Sequence, residues 1–164
     1  MDIFVRYLEK VRTFAPEKVE MFSKACEYGI RASIYIAEKS LLDKRVSLKE
    51  VAQAINSPEA YTSKILQQLS RSAIINSDKG PTGGFSMDKY MLNNVKLSMI
   101  VSAIDGDEIY KGCALGLEKC NEKMPCPLHD QFKSIREDLK RMLETTTVKS
   151  LSLNLEKGLT FLKR

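Results

Sequence analysis

Residues 47–87 read SLKEVAQAINSPEAYTSKILQQLSRSAIINSDKGPTGGFSM. Ser47, Leu48, Lys49 and Glu50 form a capping box, in which the serine hydroxyl caps the first amides and the glutamate reaches back to the serine N–H. Val51, Ala54 and Ile55 follow on one face, so a short helix starts here. Asn56, Ser57 and Pro58 break it, with Ser57 expected to cap a second helix and Pro58 to take its first position. On that helix Tyr61, Ile65, Leu66 and Leu69 are expected to face the core. Thr62, Ser63, Lys64, Gln67, Gln68 and Arg71 are then left outward. Two short helices across a tight polar turn make a helix-turn-helix. The next stretch holds two strand-like runs around Lys79, Gly80, Pro81, Thr82, Gly83 and Gly84, which reads as a β-hairpin, or wing.

Working upstream, FSKACEYGIRASIYIAEKS (22–40) repeats apolar residues at three-to-four spacing through Phe22, Cys26, Ile30, Ile34 and Ala37, an amphipathic helix. Residues 1–20 precede it as an extension: they are either helical, since Phe4, Tyr7, Leu8 and Val11 also recur at helical spacing, or translation begins at Met21. Downstream, Leu97, Ile100, Val101 and Ile104 predict a helix over 95–104, ended by Asp105, Gly106 and Asp107. A turn-rich segment with three cysteines follows. Leu128, Phe132, Ile135, Leu139 and Met142 then alternate four and three residues apart in a charged background, the seam of a coiled-coil-like helix that needs a partner. The tail SLSLNLEKGLTFLKR (150–164) alternates Leu151, Leu153 and Leu155. It is open between a short strand and an extension docked on a dimer.

The fold class expected is therefore mainly α with a small hairpin. Residues 1–20 form the extension, 21–106 a winged helix-turn-helix DNA-binding domain, and 107–127 a cysteine-rich loop. A dimerisation helix spans 128–148, with the tail at 149–164. Composition agrees with a packed domain: 43% of the 164 residues are apolar and 29% charged. No apolar run approaches the roughly 18 residues of a membrane span, and residues 1–20 lack the apolar core of a secretory signal. A cytoplasmic location is the expectation. The net charge of +5 permits a polyanionic partner without demonstrating one.

The cysteines are unevenly placed. Cys26 falls on the apolar face of the first helix and reads as a core residue. Cys113, Cys120 and Cys126 crowd together, and His129, the one histidine of the chain, follows three positions after Cys126. Loops of six and five residues between thiolates let the backbone curl around an inorganic centre. Zinc sites favour two close ligand pairs, and only Cys126 and His129 are that close, so an iron–sulfur cluster is favoured over zinc. Catalysis finds little support, because the chain shows no nucleophile elbow and no phosphate loop. On the helix-turn-helix, Tyr61 through Arg71 carry groups that can bond bases or phosphates, and Lys79 at the wing tip can reach phosphate where Gly80, Thr82 and Gly83 allow close approach.

With these residues assembled, the chain resembles the IscR/NsrR-like branch of the Rrf2 family, bacterial winged-helix transcriptional regulators that bind an iron–sulfur cluster. The matching residues run from Ser23-Lys24 and Tyr28-Gly29 through Ser47 to Ala52, Tyr61 to Leu69, the wing Lys79 to Phe85, and Ile104-Asp105-Gly106, over about residues 21–148. The resemblance implies a homodimer on a pseudo-palindromic operator, with each cluster loop near the partner's DNA-binding domain. It also implies a 2Fe-2S or 4Fe-4S cluster on Cys113, Cys120 and Cys126. The fourth ligand it implies is His129, as in IscR-like members, or Glu27 of the partner subunit, as in NsrR-like members. The first cysteine gap is one residue longer than is common in the family. The expected function is a DNA-binding regulator, a repressor, controlled by the cluster; the alternative is a zinc-stabilised or thiol-based module without one.

Overall fold

The computed structural model describes residues 21–162 apart from Pro81, Ala114 and Lys119, so the two readings of residues 1–20 lie outside the described residues. Helix α1 (Lys24–Leu41) is the central element, packed by α2 (Leu48–Ile55), α3 (Glu59–Arg71), α5 (Leu97–Asp105) and α7 (Val148–Glu156). Ser23 caps it by accepting from the Cys26 N–H at 3.1 Å. Its burial extends beyond a single stripe, taking in Cys26, Ala32, Ser33, Ile36 and Ala37 at 0% exposure, because neighbours surround it. Gly29 leaves room on α1 for Ile104: a Cβ there would lie 2.2 Å from the Ile104 Cδ1, so that side chain would have to shift.

The helix-turn-helix forms as expected, with two local differences. The capping box is present, Ser47 accepting from the Glu50 N–H at 3.3 Å and Glu50 from the Ser47 N–H at 2.7 Å. The Ser47 N–H and then its hydroxyl, both donating to the Glu50 carboxyl, hold it below its usual range. The turn is made by Asn56 at φ 53, a left-handed conformation that asparagine tolerates. Helix α3 starts one residue later than the sequence suggests, with Pro58 in the cap position, and the Ser57 hydroxyl is buried without a partner. The inward face is Thr62, Ile65, Leu66 and Leu69, whereas Tyr61 is 37% exposed. The reading that put Tyr61 inside and Thr62 outside is therefore corrected. Thr62 shares the 3.6-residue phase of Ile65, Leu66 and Leu69, and it can be buried because its hydroxyl donates to the Pro58 carbonyl at 3.0 Å.

The wing is an antiparallel hairpin of β1 (Asn76–Asp78) and β2 (Gly84–Ser86), with Ser77 opposite Phe85. Phe85 also bridges to Val46, which anchors the hairpin on the loop before α2. A short helix that periodicity did not signal, α4 (Lys89–Asn94), is capped by Asp88 and leads into α5. After the loop, α6 (His129–Thr145) returns along α5. The tail is a helix, not a strand: Thr147 caps α7, and Val148 and Ser152 are buried at 0%. The alternating leucines misled because Val148, Leu151, Ser152 and Leu155 also fit a 3.6-residue period, and packing on α1 selects it. Among the described residues no helix is long and apolar enough to cross a membrane.

Candidate cysteine centre and nucleic-acid interface

The loop between α5 and α6 opens at Gly106, whose φ of 74 turns the chain away from the helix. A short 3-10 turn (Glu108–Tyr110) follows, and Cys113 comes three residues later. His129 stands at the first turn of α6, 7% exposed, with its Nδ1 3.4 Å from the Cys120 Sγ. Arg136, two turns along α6, donates to the Gly112 carbonyl at 2.9 Å and to the Cys120 Sγ at 3.4 Å. One guanidinium thus ties the residue before Cys113 to Cys120, the middle cysteine of the loop. Cys113 receives the backbone N–H groups of Leu115 and Leu117 and the Cys126 thiol, and these, with the charge of Arg136, hold its thiol below the ordinary value.

The fold therefore brings the four predicted donors into two pairs, Cys120 with His129 and Cys113 with Cys126. Among the described residues no three of His, Cys, Asp or Glu stand close enough to hold a metal ion by themselves. The donor chemistry nevertheless fits an iron–sulfur cluster: thiolates, an imidazole, N–H groups aimed at sulfur, and positive charge around them. A cleft of about 270 Å³ beside Cys120 and His129 is walled by Lys111, Lys133, Arg136 and Lys140 together with Glu122 and Glu137, Glu122 pairing with Lys133 at 2.7 Å. Arg136 was missed in the sequence because it sits seven residues beyond His129, among many other charges. Glu27, the other suggested ligand, lies in the first turn of α1 and pairs with Lys24 at 2.7 Å.

Cys26 takes no part in this set. It is completely buried, and burial, then the neighbouring Asp105, push its thiol up to about 12. The neutral thiol is the form the fold prefers. Its contribution to stability is full below the unfolded thiol value near 9 and is lost as pH rises from there toward 12. In urea unfolding, the stability advantage of the parent over Cys26→Ala should shrink by about 1.4 kcal/mol per pH unit above 9. A constant difference from pH 8 to 11 would show that the thiol ionises freely in the native state.

On the helix-turn-helix, Lys64, Gln67, Gln68 and Arg71 are exposed along α3, Ser63 is half-buried, and Thr62 is inside. Gln68 is not free: its amide donates to the Ala103 carbonyl at 2.7 Å. Tyr61 meets Tyr28 edge-on with ring centroids 5.7 Å apart, and Arg31 lies over Tyr28 at 4.5 Å while donating to the Ile55 carbonyl. Lys79, Gly80 and Thr82 are exposed at the wing and Gly83 is half-buried. Arg45 pairs with Asp78 at 2.6 Å, bracing the hairpin. On α6, Leu128, Ile135 and Met142 are 38%, 57% and 44% exposed, one face at a spacing of seven, with Phe132 and Leu139 half-buried beside them.

Comparison with known proteins places this geometry. The family model described as Rrf2, iron-dependent transcriptional regulator, matches residues 22–154. A protein of Aquifex aeolicus whose name puts it among the HTH-type transcriptional regulators is 28% identical over 138 residues, 83% of this chain and 93% of that one. The HTH-type transcriptional regulator IscR of Pectobacterium atrosepticum is 23% identical over 129 residues, 79% of this chain and 77% of that one. Among solved structures, CymR, the global cysteine regulator of B. subtilis, superposes with a TM-score of 0.66 at 22% identity, covering 80% of this chain and 95% of that one. T. potens IscR superposes at 0.64 and 18% identity, covering 88% and 93%.

Proposed function

The chain belongs to the Rrf2 family of transcriptional regulators, and on that premise we propose that it is a repressor whose grip on a pseudo-palindromic operator is set by an iron–sulfur cluster. Cys113, Cys120 and Cys126 would hold the cluster, with His129 as fourth ligand in preference to Glu27 of the partner subunit. The observation that carries this reading is the Cys120–His129 contact of 3.4 Å under the Arg136 guanidinium, in a loop hung between the winged helix and the exposed seam of α6. His129 is held within the chain, whereas Glu27 already has Lys24.

Ser63, Lys64, Gln67 and Arg71 would face the major groove, and Lys79, Gly80, Thr82 and Gly83 the phosphate backbone. Two copies joined along α6 would read half-sites about one helical turn, or a multiple, apart. When bound, the cluster would supply an oxidant- and nitric-oxide-sensitive bond between the loop and α6. If it favours the DNA-competent form, its loss weakens operator binding by the same coupling, about 1–3 kcal/mol or roughly 5- to 150-fold.

The deciding experiment is iron, acid-labile sulfide and zinc per chain, with the visible spectrum, on protein purified without oxygen. Iron and sulfide in near-equal amounts, lost in Cys113→Ala, Cys120→Ala and Cys126→Ala, are expected. Zinc alone, or a colourless metal-free protein, would defeat the cluster. The contact of Cys113 with Cys126 supports the second reading, a thiol switch. That reading predicts a colourless protein in which peroxide treatment joins these two cysteines.

A further inference from the structure

Gln68 lies on the exposed side of α3, where a glutamine would ordinarily be read as a base contact. Its amide nitrogen is already used: it donates to the Ala103 carbonyl at 2.7 Å. That bond takes one of the two amide N–H groups and turns the nitrogen toward α5, so reading adenine, which takes a donor and an acceptor side by side toward the base, has to compete with it. Ala103 lies in the last turn of α5, where carbonyls lack helical donors, so the bond also satisfies that helix end.

The same turn holds two other parts of the molecule. Asp105 accepts from the Ser23 N–H at 2.9 Å, from the Ser23 hydroxyl and from the Cys26 thiol, which fastens the start of α1. Between them, Ile104 packs its Cδ1 into the notch at Gly29, joining α1 and α5. Past Gly106 the chain runs through the turn containing Tyr110 to Cys113.

We propose that Gln68 is a positioning residue, which seats the recognition helix on the terminal turn of α5 so that a disturbance of residues 103–105 reaches α3 through the Ala103 carbonyl. This rests on the reading of α3 as the DNA-recognition helix. It removes Gln68 from the set of base-reading side chains and makes it the link between that helix and the chain entering the cysteine loop.

Duplexes selected by the parent full-length protein from a random-sequence pool provide the first test. Gln68→Ala should bind the selected duplex and each of its single-base-pair variants about fivefold more weakly, with the pattern of base preference unchanged. A loss of discrimination of about tenfold confined to one base pair would overturn the proposal, because Gln68 would then be reading that base. A parent protein that selects no duplex would defeat the DNA-binding reading instead.

Amide hydrogen exchange without DNA tests the link separately. Exchange at residues 69–71 should quicken about fivefold in Gln68→Ala and return toward the parent rate in Gln68→Lys, which retains a donor. Asp105→Asn, which disturbs the same turn from the α1 side, should quicken the same amides when Gln68 is present and add nothing in Gln68→Ala. Exchange at residues 69–71 that ignores Gln68→Ala, or effects of the two substitutions that simply add, would overturn it.

Discussion

If two copies pair along α6 as proposed, Ile135→Asp should sediment as a monomer at micromolar concentrations where the parent sediments as a dimer, with its unfolding temperature within about 4 °C of the parent. The exposed seam of Leu128, Ile135 and Met142 carries this expectation, and Ile135, at 57% exposure, is the least engaged with its own chain. A two-fold axis along α6 brings each carboxylate into an apolar surface and toward its mate. Each isolated charge costs several kcal/mol, and a net loss of about 4 kcal/mol is roughly a thousandfold in the dimer dissociation constant. Operator affinity should fall with it, since a monomer reaches one half-site only. Leu139→Asp, the substitution suggested by the heptad pattern, is less informative because Leu139 also packs against the core. Its carboxylate would damage the fold as well as the seam. Dimers that persist in Ile135→Asp would move the interface away from α6.

Gly83→Ala should open the wing while leaving the helices intact. A Cβ at Gly83 would meet only backbone: the Asp78 carbonyl oxygen at 2.3 Å, the Lys79 carbonyl carbon at 2.8 Å and the Gly80 oxygen at 2.9 Å. No side chain can swing aside to make room, so the hairpin has to move. With strands of only three residues, it gives way before the helical core does. Strain of about 2 kcal/mol corresponds to roughly a thirtyfold loss of operator affinity if the wing must close to bind. The far-ultraviolet helical signal should stay unchanged, while β1 and β2 resonances lose their cross-strand contacts. Gly80→Ala is the matched control: its φ of 102 is strained for alanine, but nothing lies within 4 Å of the added carbon. Because Gly83 itself has no left-handed φ, a Gly83→Ala loss no greater than that of Gly80→Ala would remove the packing argument.

Much of the architecture was legible because its signals are local. A capping box is four adjacent residues, a broken helix shows at Asn56 to Pro58, and a wing shows as a glycine-rich turn between two short runs. The inward face of α3 was misread at one position: Thr62, not Tyr61, is in 3.6-residue phase with Ile65, Leu66 and Leu69, and a polar threonine can take that place because its hydroxyl bonds its own backbone. The tail was ambiguous for a related reason: a leucine at every second position fits two periods until α1 supplies a surface for one of them.

By itself the sequence determined that Cys113, Cys120, Cys126 and His129 lie within one short segment, that Cys26 belongs to a core face, and that α6 carries an apolar seam, because each is a matter of spacing along the chain. Only the tertiary structure decided that the His129 ring meets the Cys120 thiol, that Arg136 reaches Cys120, and that Gln68 is bound to Ala103. Those contacts join residues 9, 16 and 35 positions apart, and their partners are chosen by how α3, α5 and α6 pack rather than by any pattern within one of them.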